Sequence, residues 1–480
     1  MSDFLSCTPF MIELIFRLMN RNIMLGFLLL GIIQGVIAQP AEIKITGQVT
    51  DCAQDSLLFF FLDGSMLRPM AKLPMQLVPD SSRRLHAFNL TLKNDFPHGF
   101  YLIGNGQPQG TRMLILGNDP EVSIQGSCPT LSQSTLGLSR ENVLLDQALT
   151  ENRNHQQRFN QLVSQYRVAM RRKQDLSPLD SAMKVLDEEK MKLYEAVKIQ
   201  SPFAAKVLGM STYLSYQTFG QKGENEASYY ANQSFRLVDF SDPDYNLIPQ
   251  VQDVMRSYAQ SVGKLGLSFD ELKAAVGKWL GQMPTPGRTH KTALIGLANG
   301  FLRSNEDAFV YYVDRYIELY GKENPSLTQQ LSDQAKPLRY RTIGALAPDI
   351  ALPTPEGDTI SLSSLKGKVV MVDFWASWCG PCRRENPNVR RVYAAYKDKG
   401  FEILGVSLDS SKDRWVQAIA KDQLPWYHVS DLKKWKSVAS RAYGVGSIPF
   451  TVLLDAEGKI IAKGLRGAKL EAKLEELLGT

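Results

Sequence analysis

The stretch from Val369 to Cys382 constrains the fold of this chain more than any other. It begins with a run of apolar residues interrupted only by Asp373, which is typical of a central parallel strand buried on both faces. A Gly-Pro turn follows, and residues 383–397 carry the period of a helix. Cys379 is therefore expected at a helix N-terminus, where unpaired N–H groups and the positive end of the helix dipole favour a thiolate over a thiol.

Two cysteines separated by two residues, Cys379 and Cys382, have three chemical interpretations. A structural zinc site needs a second pair of Cys or His at ligand spacing, and His428 is the only histidine downstream. A static disulfide across this spacing would close a tight, strained ring, which favours a labile bond instead. We therefore expect thiol–disulfide exchange, with no metal and no cofactor beyond the redox-active pair itself.

The same stretch resembles the active site of thioredoxin. Residues 374–382 read Phe-Trp-Ala-Ser-Trp-Cys-Gly-Pro-Cys, Pro387 stands where the active-site helix of that family is kinked, and Asp373 matches its buried acid. Ile448 and Pro449 resemble the loop that carries the family's cis-proline. The resemblance implies that Pro449 is cis, lies against the cysteines and leaves the backbone of Ile448 free to pair with an extended substrate strand.

Within this superfamily, residues 344–480 are most similar to the exported TlpA/ResA branch of thiol-disulfide oxidoreductases. An Ala-Pro-Asp sequence at 347–349, a Leu-Lys-Gly-Lys sequence at 365–368 and an extra segment at 411–431 carry the resemblance. The Ala-Pro-Asp sequence also fits a peroxiredoxin, but that chemistry needs a threonine three residues before its cysteine, where this chain has Ala376. The resemblance implies an α/β thioredoxin fold for this last domain.

A mechanism follows from the acidity of the two thiols. Cys379, expected to be the more exposed sulfur, attacks a substrate disulfide as thiolate, and the shielded Cys382 then attacks the resulting mixed disulfide. Burial in an apolar strand raises the pKa of a carboxyl group, so Asp373 is expected to be the base for Cys382. The alternative is a buried Asp that only hydrogen-bonds to nearby backbone. The residues expected to contact the substrate are Trp378, Gly380, Pro381, Ile448 and Pro449.

The Gly-Pro spacer resembles that of thioredoxin, a reductant, so disulfide reduction is the expected direction. The predicted function is a thiol-disulfide oxidoreductase of the bacterial cell envelope that acts on client proteins, with apocytochrome c as one candidate by resemblance. An exported reductase also requires an integral thiol-transfer protein of the membrane as electron donor. Two alternatives stay open: a disulfide oxidase or isomerase, and an envelope partner-binding protein whose thioredoxin module is a redox-sensing accessory.

Residues 1–38 are predicted to be a signal peptide that directs export to the periplasm or cell envelope. An unbroken run of apolar residues and glycine at 23–33 follows the basic Arg21, and small residues precede Gln39. The run is shorter than the about 18 residues that a membrane span needs. An uncleaved segment that anchors the protein is the alternative.

Charge and composition indicate an ordinary globular protein of about three domains. The formal net charge of +6 comes from 55 basic and 49 acidic residues, a mild excess over so long a chain. Nucleic acid is therefore not an expected partner.

Residues 39–135 are predicted to form a small antiparallel β-sandwich. Short strands alternate with turn residues from Glu42 to Gly126, and the region resembles a poorly characterised β-domain that often precedes TlpA-like modules. Cys52 and Cys128 fall at its two ends. In an exported protein they form either a structural disulfide between the first and last strands or two buried free thiols.

Residues 136–340 are predicted to be all helical. Apolar residues recur with a period of 3.6, and prolines near positions 178, 202, 243, 286 and 325 divide the region into about eight pieces. A row of aromatic residues at 309–320 is either a groove for an unfolded client or, as its spacing favours, plain core packing.

Overall fold

The computed structural model of this chain describes residues 40, 42–63, 66–79, 84–93, 96–107 and 109–479. The predicted signal peptide at 1–38 lies outside the described residues. The described residues form two N-terminal β-sheets, a central helical region and a C-terminal α/β domain. In the described part of the chain no helix has both the length and the apolar composition needed to span a membrane.

Within its described residues, the N-terminal region contains nine strands in two sheets. One sheet has the order β4-β5-β1-β8-β9 and the other the order β3-β2-β6-β7. The strands are β1 (Glu42–Thr50), β2 (Ser56–Asp63), β3 (Met66–Pro74), β4 (Gln76–Leu77), β5 (His86–Lys93), β6 (Gly99–Gly104), β7 (Thr111–Leu116), β8 (Glu121–Ser127) and β9 (Thr135–Gly137).

The expectation of a purely antiparallel sandwich is wrong, because β1 and β8 pair in parallel and the first sheet is therefore mixed. The chain reaches β8 from β7 in the other sheet, and a connection between sheets does not impose the antiparallel direction of a hairpin. The parallel pairing places Thr50 opposite Ser127, so the carboxyl ends of β1 and β8 meet. Cys52 and Cys128 follow these ends and are joined by a disulfide with a Cα–Cα distance of 5.1 Å.

The sequence pattern did not predict strand β3, because β3 lies at the edge of its sheet. It carries Arg68 and Pro69, and much of it is exposed. An edge strand tolerates charge and proline, since one side of its backbone has no neighbour to pair with.

Ten helices follow the sheets, and prolines begin several of them, as predicted. They are α1 (Arg140–Arg172), α2 (Ser177–Gln200), α3 (Pro202–Ser211), α4 (Tyr216–Phe219), α5 (Glu226–Gln233), α6 (Val251–Val262), α7 (Phe269–Leu280), α8 (Arg288–Phe301), α9 (Glu306–Tyr320) and α10 (Pro325–Ala335). Most aromatic residues of α9 are buried, which confirms core packing over a client groove.

The helical region shares a core with the second sheet. Leu62, Phe100 and Ile115 belong to the same apolar cluster as the buried helical residues, whereas Phe59 and Tyr101 face the first sheet. The Asn142 side chain also bonds both backbone groups of Ile115 on edge strand β7. The second sheet is thus a middle layer between the first sheet and the helices.

The C-terminal domain is built on a five-stranded sheet of order β14-β13-β12-β15-β16. Its strands β12, β13 and β14 are parallel, and β15 and β16 form an antiparallel hairpin beside β12. The strands of the domain are β10 (Ala351–Pro353), β11 (Thr359–Ser361), β12 (Val369–Trp375), β13 (Phe401–Ser407), β14 (Tyr427–Val429), β15 (Phe450–Leu454) and β16 (Ile460–Lys463). Its helices are α11 (Gly380–Tyr396), α12 (Lys412–Asp422), α13 (Val438–Ala442) and α14 (Gly467–Leu478).

Every residue of β12 and β13 is buried, as expected of central strands covered on both faces. One face packs against α11, α12 and α14, and the other against α13 and the β10–β11 hairpin. The helical region contacts the β16 side of this sheet through an ion pair between Lys463 of β16 and Asp307 of α9, at 2.8 Å.

Candidate active site

The two cysteines lie where strand β12 passes into helix α11. The turn is held by Asp409, whose carboxylate accepts bonds from the N–H and hydroxyl groups of Ser377 at 2.9 and 2.6 Å and from the Ser407 hydroxyl at 2.8 Å. Cys379 is the N-cap of α11, and its sulfur accepts a bond from the Cys382 N–H at 3.2 Å. The Asp409 carboxylate, just after the end of β13, thus positions the first turn of the active-site helix.

Cys379 and Cys382 are joined by a disulfide with an S–S distance of 2.02 Å. In this oxidised form both cysteines are buried, Cys379 at 4% and Cys382 at 2% exposed, so the predicted difference in exposure between the two is small. Both side chains pack into the apolar cluster that contains Trp375 and Val389. Trp378 is instead the exposed neighbour of the pair, at 51%.

Asp373 lies on β12, buried on the face that carries α11. Burial raises the pKa of its carboxyl group to about 7, the positive charge of Arg466 opposes this rise, and the negative charge of Glu385 adds to it. Asp373 and Cys382 line one narrow crevice that has room for about one water molecule. A carboxyl group with a pKa near neutrality therefore lines the same crevice as the buried cysteine.

The predicted substrate-contact residues surround the cysteines. The Ile448–Pro449 peptide bond is cis, and Pro449 lines the crevice beside Cys382. Gly380 and Pro381 are exposed on the first turn of α11. Within the described residues the backbone of Ile448 has no hydrogen-bond partner, so it is available to an extended chain.

Sequence reasoning missed two charged residues of the crevice, Glu385 and Arg466. Glu385 lies one helical turn after Cys382, and its carboxylate accepts a bond from the Gly467 N–H at 2.8 Å. Arg466 donates a hydrogen bond to the carbonyl of Pro449. A position three residues after the second cysteine shares its helix face, so periodicity could have identified Glu385. No local signal brings Arg466 here, because it comes from the loop before α14.

Trp375 packs in the same apolar cluster as the cysteines, and its ring centroid lies 5.7 Å from that of His428. Burial lowers the pKa of His428 to about 4, so its imidazole is neutral near pH 7. In the residues that the structure covers, no group of three or more His, Cys, Asp or Glu side chains has the arrangement of a metal site.

A two-cysteine pair at the start of a helix, at the carboxyl end of the central strand of such a sheet, defines a thioredoxin-like thiol-disulfide oxidoreductase. Comparison with known proteins supports this assignment. The AhpC/TSA family model matches residues 343–463. The ResA thiol-disulfide oxidoreductase of Bacillus anthracis is 35% identical over 136 residues, which are 28% of this chain and 76% of that protein. The ResA protein of Oceanobacillus iheyensis is 38% identical over 125 residues, 25% of this chain and 63% of that protein.

Two solved structures are also similar to this part of the chain. The thioredoxin domain of a thiol-disulfide oxidoreductase of Bacteroides vulgatus is 40% identical, with a TM-score of 0.28, and the match covers 28% of this chain and 97% of that one. A thiol-disulfide oxidoreductase of Bacteroides fragilis is 37% identical, with a TM-score of 0.27, and the match covers 28% of this chain and 98% of that one.

The sequence matches show that this chain belongs to the ResA family of thiol-disulfide oxidoreductases. The similarity to that family lies in the C-terminal domain.

Proposed function

We propose that this enzyme reduces disulfides of client proteins in the bacterial cell envelope through the Cys379–Cys382 pair. The observation that carries the proposal is the crevice beside the pair. Cys382 and the buried carboxyl group of Asp373, whose pKa is about 7, both line it. An acid–base group beside the second cysteine serves thiol exchange, whereas a purely structural disulfide has no use for it.

In the first step the reduced enzyme attacks a client disulfide. The sulfur of Cys379 is favoured as thiolate by the N-terminus of α11 and by the Cys382 N–H. It forms a bond to one client sulfur while the client disulfide breaks, and the other client sulfur leaves as a thiolate that takes a proton from solvent.

In the second step Cys382 releases the client. Its thiol transfers a proton to Asp373, for which the crevice has room for one relaying water molecule, and the resulting thiolate attacks the sulfur of Cys379. The mixed disulfide breaks, and the second client sulfur leaves as a thiolate and is protonated. Two electrons have then passed to the client, and the pair is oxidised. Because the pKa of Asp373 is about 7, it can accept the proton and later return it near neutral pH.

The client is held beside the pair by the residues that surround it. The unpaired backbone of Ile448 bonds an extended client segment, in the manner of an added strand. Pro449 packs against the client disulfide, and Trp378, Gly380 and Pro381 form the exposed surface beside the attacking sulfur.

A complete cycle needs electrons and a location. The predicted signal peptide places the enzyme in the periplasm or cell envelope, either free or held by an uncleaved segment. A thiol-transfer protein of the membrane then re-reduces the pair by the same exchange chemistry, so no further cofactor is required. Apocytochrome c is a candidate client, in cytochrome c maturation.

Insulin reduction by the purified full chain, driven by a dithiol, tests the proposal. We expect turnover that is lost in both Cys379→Ser and Cys382→Ser variants. Only Cys382→Ser retains the attacking sulfur, so only this variant should accumulate mixed disulfides that identify clients by mass spectrometry. No turnover by the protein with both cysteines would refute the proposal. Faster oxidation of reduced clients than reduction of oxidised ones would instead assign the enzyme as an oxidase.

A further inference from the structure

An exposed basic and aromatic surface lies directly beside the active-site cysteines. Trp378, which precedes Cys379, contacts Trp435 with ring centroids 6.2 Å apart, and the two tryptophans are 51% and 43% exposed. Exposed lysines flank Trp435 on both sides. We call this surface, formed by Trp378, Lys433, Lys434, Trp435 and Lys436, the basic rim.

The basic rim is held in a defined shape by the loop that carries it. One carboxylate oxygen of Asp431 accepts the N–H of Lys433 at 3.2 Å, and the other accepts the N–H of Val438 at 3.0 Å. Leu432 packs against the same apolar cluster as the cysteines. The Lys434–Lys436 segment between these anchors forms a 3-10 turn, so its side chains are directed to solvent while the backbone is fixed.

The acidic groups of this face are engaged with internal donors. Asp409 holds the turn before the cysteines, Asp431 closes the rim loop, and Glu385 accepts the Gly467 N–H. By contrast, Lys433, Lys434 and Lys436 form no ion pair with any described residue. Hydrogen bonds from neutral donors leave a carboxylate charged, so Asp431 still offsets part of the charge of the basic rim. The three lysines outnumber it, and no ion pair with a described residue holds them.

Two arginines extend the positive charge to the other side of the pair. A Cβ atom placed on Gly380 would lie 3.4 Å from Nη1 of Arg384, so that guanidinium group lies against the cysteine turn. Arg466 is exposed beside Pro449. A polypeptide bound at the cysteines would thus have cationic groups on both sides.

We propose that the basic rim selects clients whose disulfide is flanked by acidic residues. This inference rests on the proposed function and names the substrate class of the same site. Any client whose sulfur reaches Cys379 must place its neighbouring residues over Trp378 and the rim lysines. The tryptophan pair provides apolar contact, and the lysines attract carboxylates and raise the rate of encounter.

The position of the rim favours a client over other anionic partners. A membrane surface seated on these lysines would cover the cysteines, which must remain open to clients. A second copy of this chain would bring a rim of the same positive charge against the first, and like charges repel.

Competition between two peptides tests the inference with the full chain. Both peptides contain one intramolecular disulfide and differ only in flanking residues, glutamate in one and glutamine in the other. We expect kcat/KM at low ionic strength to favour the glutamate peptide about tenfold, as three exposed ion pairs can provide. The preference should approach one in 0.5 M NaCl, because salt screens exposed charges.

A charge-matched pair of variants locates the effect. The triple variant Lys433→Ser, Lys434→Ser, Lys436→Ser should lose most of the preference. The control triple variant Lys366→Ser, Lys397→Ser, Lys459→Ser removes the same charge from exposed sites at the opposite end of the sheet and should keep it. Equal loss in both variants would attribute the preference to total charge and overturn the inference.

The remaining outcomes separate this inference from the function on which it rests. If the enzyme reduces both peptides equally well, the basic rim does not select acidic clients, while the reductase function stands. If it reduces neither peptide nor insulin, the proposed function itself fails. Rim-dependent binding to phosphatidylglycerol vesicles without any peptide preference would assign the surface to lipid and also overturn the inference.

Discussion

Replacing Asp373 with asparagine should stabilise the folded protein at neutral pH while slowing its reaction. Burial raises the pKa of this carboxyl group from its ordinary value of 3.8 to about 7. The folded state therefore binds the proton more tightly than the unfolded chain, and stability falls as pH rises from 3.8 through 7. Asparagine is similar in size but has no charge to bury, so the variant avoids this loss.

The two pKa values determine the size of the effect. Full ionisation of Asp373 costs on the order of 4 kcal/mol of folding free energy. Part of this cost is already present at pH 5. The stability advantage of Asp373→Asn over the natural protein should therefore grow by about 2.5 kcal/mol between pH 5 and pH 8.

Urea unfolding followed by tryptophan fluorescence measures this difference in the correct domain, because every tryptophan except Trp279 lies in the C-terminal domain. Asp422→Asn is the matched control. The side chains of Arg383 and Asn386 hold the pKa of Asp422 below its usual range, so its charge stabilises the fold at both pH values. Asp422→Asn should lose stability by a similar amount at pH 5 and pH 8. An Asp373→Asn advantage that does not change with pH would refute the reasoning.

The same variant tests the catalytic role of Asp373. Without its base, Cys382 should release the client from the mixed disulfide on the order of 10²-fold more slowly at pH 7. The dependence of this rate on a group that titrates near pH 7 should also disappear. Single-turnover kinetics with a fluorescent client measure both effects. An unchanged release rate would mean that Asp373 only hydrogen-bonds to its surroundings.

Three further predictions concern other parts of the chain. In the reduced protein, alkylation of Cys379 should show a titration midpoint below the about 8.5 of free cysteine, and a midpoint at or above that value would contradict thiolate activation. Replacing both Cys52 and Cys128 with serine should lower the unfolding free energy of the N-terminal sheets by about 2–5 kcal/mol without changing insulin reduction. Lys190→Met should destabilise the helical region by about 3–5 kcal/mol in urea unfolding. The Nζ atom of Lys190 lies 2.9 Å from the buried Asp187 carboxylate, and the variant leaves that carboxylate without its counter-charge. Adding Asp187→Asn should recover part of that loss.

Local patterns in the sequence were sufficient for the helices and for most strands. Proline and apolar period mark the starts of α2, α3 and α10, because a helix terminus depends on residues within one turn of it. Strand β3 and the parallel pairing of β1 with β8 were missed. A strand's partner and direction depend on residues far away in the chain, and no local period records them.

The residues of the candidate site also divide into those that lie close together in the chain and those that folding brings together. Cys379, Cys382 and Asp373 lie within one strand and turn, so their order along the chain already places them together. Arg466 and the lysines of the basic rim reach the cysteines from loops more than 45 residues further on. Their position depends on how α14 and β14 pack on the sheet, which the spacing of motifs does not contain.

The sequence by itself therefore determined the chemistry of this protein: a strand, a turn and a helix that present two sulfurs beside one buried acid. Only the tertiary structure decided what surrounds that chemistry. Burial on β12 brings the pKa of Asp373 to about 7, and packing places beside the pair the lysines of the basic rim, which form no ion pair with any described residue. The physical reason is range: helix and turn preferences act over a few neighbours, whereas desolvation and charge complementarity sum over every group that folding brings close.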